Sequence, residues 1–359
     1  MVARTLTSAL GFMLLLGCQS TRSQGSDEAL EPGVVAPLEK GETGYAVHVR
    51  KLVTVDGEDH VYDPGLIVVR SAKIAYAGPP TDVPDGYEHL EFENAWASPG
   101  MVDLHAHIVG GGGINDMVYP VNPGLSTRPC FRPSNPSMKR ACAAGVTTIF
   151  GIPGSGTSIG GFGVLFKMET DATYEEAVLR DPGGMKVAQN YNPQRTAGDL
   201  GTSWCGLAWL MEDINDKAVG ALEQGREDLM LHDLKRVHSG ELPVLIHTAS
   251  AEGVANTVRM WKVHYGTNCI VSHGSWDGWL AAPYAAKHGA PVNHGPRTMD
   301  TTRFSLTQRD GRLIGGAAEY VKAGVPLFSL NTDSPVVPEE EFFLQGAMSA
   351  RYGGDSYFM

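Results

Sequence analysis

In the stretch ASPGMVDLHAHIVGGGG (97–113) an apolar run ends in His105 and His107, and glycines follow. Residues two apart on a strand project to the same side, so these two imidazoles face one space and make the start of a metal site. Other short apolar runs end in the same kind of chemistry. LPVLIHTAS carries His247, CIVSHGSWDG carries His273, PVNH ends in His294 (with Arg297 close behind it), and LFSLNTD ends in Asp333. Lys186 lies inside GGMKVAQNYNPQR, shortly before Tyr191. Packing offers no reason for buried strands to terminate repeatedly in imidazole or carboxylate. The joint pattern reads as one site assembled from several strand ends.

The elements that must position these residues follow from the apolar rhythm. Eight candidate strands fall at 100–107, 146–151, 164–168, 185–189, 244–247, 269–273, 291–294 and 326–333. Helical patterns separate several of them, among them TYEEAVLRD, DKAVGALEQGREDLMLHDLKRVHSG, GVANTVRMWKVHYG and GRLIGGAAEYVKAGV. Strand and helix alternating eight times is the order of an α/β protein with a (β/α)8 TIM-type barrel, where chemistry sits at the C-terminal ends of strands. Before it, residues 44–98 read as all-β, with short alternating runs separated by Asp-Gly, Pro-Gly and Gly-Pro-Pro turns.

With 42% hydrophobic and 19% charged residues the chain has ordinary globular composition, enough for one large domain and one small. A formal net charge of −12 argues against a nucleic-acid partner, because phosphate binding needs a basic surface. MVARTLTSALGFMLLLGCQS reads as a targeting segment whose apolar run is too short to span a bilayer. Its Leu15-Leu16-Gly17-Cys18 resembles a bacterial lipobox. Residues 1–18 are then a lipoprotein signal peptide, Cys18 the lipidated residue, and 19–43 a flexible tether. Gln19 after the cysteine implies the outer membrane, facing the periplasm. Cys130, Cys142, Cys205 and Cys269 show no metal-type spacing, and sequence does not pair them. The glycine-rich 151–163 lacks the Lys-Ser/Thr of a phosphate loop and is expected to rim the site mouth. Trp276 and Trp279 suit either a pocket wall or the core. His232, His238, His264 and His288 are expected on helix surfaces.

PGMVDLHAHI, LPVLIHTAS, CIVSHGSWDG and LFSLNTDSPVVP, in this order, resemble the metal-dependent amidohydrolase superfamily, in its imidazolonepropionase-like branch. The resemblance runs from about residue 44 to the end. It implies a barrel over 99–359 and a small β-sandwich part over 44–98. It further implies that His105, His107, His247 and Asp333 hold a divalent ion: zinc by the donor set, with iron or manganese as other options. Water activated by that ion would attack a carbon–nitrogen bond of a small molecule (an amide, lactam or cyclic amidine), with Asp333 as general base. His273 would polarise the substrate carbonyl or bind a second ion. His294, Arg297 and Tyr191 are candidate substrate contacts.

Lys186 decides between one ion and two. In some amidohydrolases a lysine on the fourth strand is carbamylated and bridges two metals, which would give a prolidase-like dipeptidase. A lysine near a strand start can equally reach solvent. One subgroup carries a segment like Gly-Glu-Asn-Pro-Lys-Arg past that strand. This chain reads NYNPQR, with Tyr191 in the glutamate's place, which argues against a binuclear site. The family also has a further segment after strand eight that completes the sandwich. Its absence here predicts an incomplete β-sandwich with exposed edges and reduced stability. A catalytically inactive metal-binding lipoprotein, or a gene fragment, is the reading from another class. The oligomeric state is open.

Overall fold

The computed structural model describes residues 34–110, 112–168, 172–189, 191–194, 200–296 and 314–353. Cys18 and Arg297 lie outside the described residues. The chain divides into two compact units, Met1–Pro99 and Gly100–Met359.

The first unit is built on one long strand, β1 (Gly44–Val53). It pairs antiparallel with the two-residue β2 (Val61–Tyr62) and with β3 (Gly65–Arg70), which continues to β4 (Lys73–Gly78). On its other side β1 takes β5 (Glu88–Ala97) in parallel. Alternate residues Leu66 and Val68 of β3 turn inward with Ala46, against Tyr87 and Val35. The β3–β4 hairpin turns at Ser71 and Ala72, both with left-handed φ (47° and 62°), the geometry of a two-residue hairpin loop.

The second unit holds β6 (Met101–Ala106), β7 (Val146–Gly151), β8 (Ile159–Lys167), β9 (Val178–Ala188), β10 (Val244–Ala249), β11 (Cys269–Ser275), β12 (Val292–His294) and β13 (Phe328–Leu330). They form an eight-stranded sheet in chain order that is nearly closed into a barrel. The helices are α1 (Pro136–Ala143), α2 (Tyr174–Ala177), α3 (Trp204–Glu223), α4 (His232–His238), α5 (Ala251–Thr257), α6 (Ala282–Lys287), α7 (Gly316–Lys322) and α8 (Phe342–Arg351). A π-helical segment, Val258–His264, continues α5. The apolar faces of α3, α4, α5 and α6 close over β9–β12 in one cluster that contains the fully buried Trp261.

Each expected barrel strand has a counterpart, but the alternation with helices breaks early. β8 runs antiparallel to both β7 and β9. It begins at Ile159, five residues before the expected 164–168, and nearly all of it is buried. Its IGGFG start reads as a loop by composition, yet the glycines are there for close approach. A Cβ on Gly161 (φ 108°) would strike the Leu125 carbonyl, and one on Gly163 would lie 2.6 Å from Ile152. The helical reading of TYEEAVLRD holds for one turn only. Thr173 and Glu176 close a capping box around Tyr174–Ala177, and Val178 already starts β9.

The seam between β6 and β13 lacks a strand ladder and is closed by a side chain. Ala106 bridges Ser334, and the His107 amide donates to the Ser334 carbonyl at 2.8 Å. The buried Asp103 carboxylate accepts from the His105 amide (2.8 Å), the Thr332 amide (2.9 Å) and the Thr332 hydroxyl (2.6 Å). Near it lies Glu339, only 1% exposed, with neither carboxylate oxygen hydrogen-bonded. The Thr332 hydroxyl has already given its single proton to Asp103, so Glu339 receives no donor there. Burial, and then the Asp103 charge, push the Glu339 carboxyl up to about 9. His238, expected on the surface, is half-buried instead. Its Nε2 meets Oδ1 of the fully buried Asn215 at 2.8 Å, and burial lowers its pKa to about 4.

Because the folded chain holds the Glu339 proton more tightly than the unfolded chain does, this group stabilises fully below its ordinary pKa of 4.5 and stops doing so as pH rises through about 9. Glu339→Gln is therefore expected to match the wild-type melting temperature at pH 5 and exceed it at pH 9. Parallel melting curves across that range would show that the carboxyl finds a partner.

Candidate metal centre

Strand ends deliver five side chains to one space. His105 comes from β6, His107 from the residue after it, His247 from β10, His273 from β11, and Asp333 from the segment after β13. His105 Nε2 and His107 Nε2 approach Asp333 Oδ1 at 3.3 and 3.0 Å, and His273 Nε2 lies 3.9 Å from Oδ2. The His105 ring is centred 4.3 Å from that of His273, and His247 4.4 Å from His273. Donor atoms fall into two trios, each within 4.8 Å: His105, His107 and Asp333; and His105, His247 and His273. His105 belongs to both.

Backbone carbonyls fix the tautomers. The Nδ1 of His107 donates to the Ile152 carbonyl at 3.0 Å, and that of His273 to the Gly295 carbonyl at 2.8 Å. A carbonyl only accepts, so each ring carries a proton on Nδ1, and for His273, whose pKa burial brings to about 4, this leaves Nε2 as a bare lone pair. The Nε2 of His107 lies 3.0 Å from Asp333 Oδ1, where a shared proton or a cation joins the two. The bare nitrogen of His273 is buried with no hydrogen-bond partner. Such an arrangement is satisfied by a cation placed among the nitrogens and the carboxylate. The donor set of neutral imidazoles with one carboxylate fits a divalent transition ion, zinc above all.

Electrostatics keep three of the imidazoles uncharged. Burial lowers the pKa of His105 and His247 well below the usual value, with further push from Lys186 and His273, and it brings His273 to about 4. For Asp333, burial acts upward, but the facing His105 and His273 and the hydrogen bonds at His105 and His107 outweigh it. The carboxyl stays well below the ordinary range. Neutral nitrogens and an ionised carboxylate are the protonation states that metal binding requires.

Lys186 does not reach solvent: its side chain is fully buried, and desolvation lowers its pKa to about 7. Its Nζ lies 3.1 Å from His105 Nε2 and 3.1 Å from Ser155 Oγ. His294 is buried behind the cluster, where its Nδ1 donates to the His273 carbonyl at 2.7 Å. Tyr191 follows the end of β9 and packs on Trp276 and Trp204. Arg297 lies outside the described residues.

Sequence reasoning missed three contributing residues, two of them serines that carry no signal in isolation. Ser155, in the glycine-rich loop after β7, sits 2.9 Å from His247 Nδ1. Ser272 sits 2.6 Å from His105 Nδ1. Asp103 was discoverable: in VDLHAH it shares the two-residue spacing of His105 and His107. Another histidine pair, His48 and His89 with Glu91, lies in the first unit. Its rings are nearly parallel (15°), with nitrogens 3.0 Å apart, which is a shared N–H···N bond on an open face.

No family model matches the chain. Over 54 residues it is 41% identical to an imidazolonepropionase of Caulobacter sp. (strain K31), a stretch that covers 14% of this chain and 14% of that protein. The chain thus spans a small part of the curated relative it matches. The crystal structure of an amidohydrolase from Thermotoga maritima MSB8 superposes with TM-score 0.77 at 26% identity, over 87% of this chain and 85% of that one. A prolidase crystallised with N-methylphosphonate-L-proline shares the fold (TM-score 0.51, 14% identity, 87% and 84% covered). In its barrel, its strand-end histidines and these comparisons, the chain is similar to the metal-dependent amidohydrolases. Within that class, the sequence similarity is to the imidazolonepropionases.

His105→Ala removes the residue common to both trios. It is expected to lower bound metal, measured by elemental analysis of the purified chain, by at least about tenfold, the size of a lost ligand. His294→Ala, one layer out, should cost less. Equal metal in wild type and His105→Ala would place the ion elsewhere.

Proposed function

We propose that the protein hydrolyses a carbon–nitrogen bond of a small molecule, an amide, lactam or cyclic amidine, at this cluster. The observation that carries the reading is the convergence of His107 Nε2 and the bare, unpartnered His273 Nε2 on the Asp333 carboxylate. Zinc, or iron or manganese in its place, would be held by His105, His107, His247 and Asp333, and when bound would supply a Lewis acid that acidifies water. Asp333, an ionised carboxylate at the open edge of the cluster, takes the proton of the attacking water and delivers it to the departing nitrogen. Its side chain keeps 15% exposure, enough to meet both. His273, with its proton held on Gly295, offers a lone pair rather than an N–H. It therefore suits metal binding better than polarising a carbonyl.

A second reading has its own support. Lys186 is a buried amine with a pKa of about 7, beside the trio of His105, His247 and His273. A neutral amine adds CO2 to give a carbamate and a released proton, and the carbamate would bridge a second ion. The site is then binuclear and the activity that of a prolidase-like dipeptidase. Tyr191 in NYNPQR weighs against it. For location, the Leu-Leu-Gly-Cys18 motif supports a lipid anchor on the outer membrane, facing the periplasm.

Asp333→Asn keeps the shape and removes the base. Turnover of a hydrolysed amide, taken per bound metal because Asp333 is also a proposed ligand, is expected to fall by about 10²–10⁴-fold, the usual worth of general base catalysis, with the chain still folded. A variant that keeps both metal and rate would remove Asp333 from the mechanism. The metal count in the same preparations separates the two readings. One equivalent supports the first, and two, with one lost in Lys186→Ala, support the second.

A further inference from the structure

Two aromatic side chains stand just past the C-terminal ends of the strands that flank the one carrying His247, and a third packs beside them. Tyr191 follows β9, Trp276 follows β11, and the sheet places β10 between those two strands. The Tyr191 and Trp276 rings nevertheless touch edge to face, with centroids 4.3 Å apart, so the pair arches across the end of the strand that carries His247. Trp204, the first residue of α3, meets the other side of Tyr191 at 5.1 Å, again edge to face. Both Tyr191 (φ 61°) and Trp276 (φ 60°) hold left-handed backbone conformations that bulky residues rarely adopt. Strain of this kind persists where the surroundings fix it, and it clusters at ligand clamps.

Beyond the arch lies a cavity of about 290 Å3. Trp204, Met211 and Met260 give it an apolar wall, and polar side chains, among them Gln189 just past β9, Glu212 and Arg259, line the rest. One wall comes from the π-helical segment Val258–His264, which supplies Arg259 and Met260. A π turn is rare and recurs where a helix is reshaped around a functional site. Thioethers and indole edges are suited to hold a flat apolar group: sulfur contacts aromatic rings favourably and adapts its shape. Tyr191, Trp204 and Trp276 keep part of their ring surface open: Tyr191 is 39% and Trp204 38% exposed.

We infer that the Tyr191–Trp276–Trp204 arch and the cavity beside it form a specificity subsite for an aromatic or similarly flat apolar group on the substrate, next to the bond that is cleaved. This rests on the proposed hydrolase reading for the identity of that bond, not for the binding of the ring. Trp204 determines the preference because it belongs to both arch and cavity, and its partial exposure lets it be truncated without opening the core.

The test is calorimetric titration of the metal-loaded full chain with two probes, N-acetyl-L-phenylalaninamide and N-acetyl-L-alaninamide. The phenyl probe is expected to bind at least about tenfold more tightly, the return for burying one ring. In Trp204→Ala the ratio should fall below about threefold, with circular dichroism and metal content unchanged; Tyr191→Ala should lower it too. Equal affinities in the wild type, no measurable binding of either probe at millimolar concentration, or a ratio preserved in both variants would overturn the subsite. A ring preference without hydrolysis of any amide would leave the subsite standing and the hydrolase reading fallen. Hydrolysis without a ring preference would do the reverse.

Discussion

The structure depends on one convergence: His107 Nε2 lies 3.0 Å from Asp333 Oδ1, and the unprotonated, unpartnered Nε2 of His273 lies 3.9 Å from Oδ2. A lone pair against a carboxylate oxygen is held apart by water or together by a cation, and here burial limits the water. Several features keep these groups in place. The Ile152 and Gly295 carbonyls fix the imidazole protons on the outer nitrogens. Asp103 ties the histidine strand to Thr332, the residue before Asp333. His273 (φ 73°) and Asp333 (φ 51°) adopt left-handed backbone conformations, each costing about 1–3 kcal/mol in a residue with a Cβ. That cost is tolerable only where the groups so aimed gain an interaction, and a bound divalent ion would supply it. Metal binding would then be linked to folding in this unit, since a ligand that binds only the folded chain stabilises it by mass action.

Charge around the centre is arranged by subtraction. Burial strips His105, His247 and His273 of their protons, which leaves three neutral donors where a hydrated surface would carry partial positive charge. Lys186 is the buried basic group among them, and it too is drawn toward neutrality. Behind the site the same desolvation raises Asp103 to about 7 and Glu339 to about 9, so Glu339 is the carboxyl that keeps its proton at neutral pH. Asp333 thus stands out as the committed anion beside a set of neutral ligands. A divalent cation would find partial compensation there, not full neutralisation, and that imbalance is what makes an ion an effective acid toward water.

Much of this was legible in the sequence, for an identifiable reason. Buried strands run apolar until they reach solvent or a site, so a polar residue at a strand end is conspicuous. His105, His107, His247, His273 and Asp333 all fall where that rule puts them. Partners on the neighbouring layer were not legible, because serine is unremarkable in any loop or strand. Ser272 is indistinguishable from other strand serines until β11 is laid beside β6 in space. The antiparallel β8 was hidden because IGGFG has the composition of a turn, while its function is tight backbone packing. Lys186 was ambiguous because sequence gives a lysine's place along a strand but not which way its amine points. His238 looked like a surface residue until Asn215 turned out to be buried beneath it.

The break in strand–helix alternation and the arrangement of the centre are connected. A parallel crossover after β7 would carry the chain around the outside of the barrel through a helix. Reversing direction into β8 instead leaves only residues 152–158 between the two strands, and this short loop stays over the strand ends. It is held low by contact, since a Cβ on Gly154 would lie 2.5 Å from Asn115 and one on Gly156 2.6 Å from Met117. From that position Ile152 lends its carbonyl to His107, and Ser155 reaches both His247 and Lys186. Two of the imidazoles and the lysine therefore take their orientation from a loop that exists because one strand is reversed. A barrel with eight parallel strands would have to find those three contacts elsewhere.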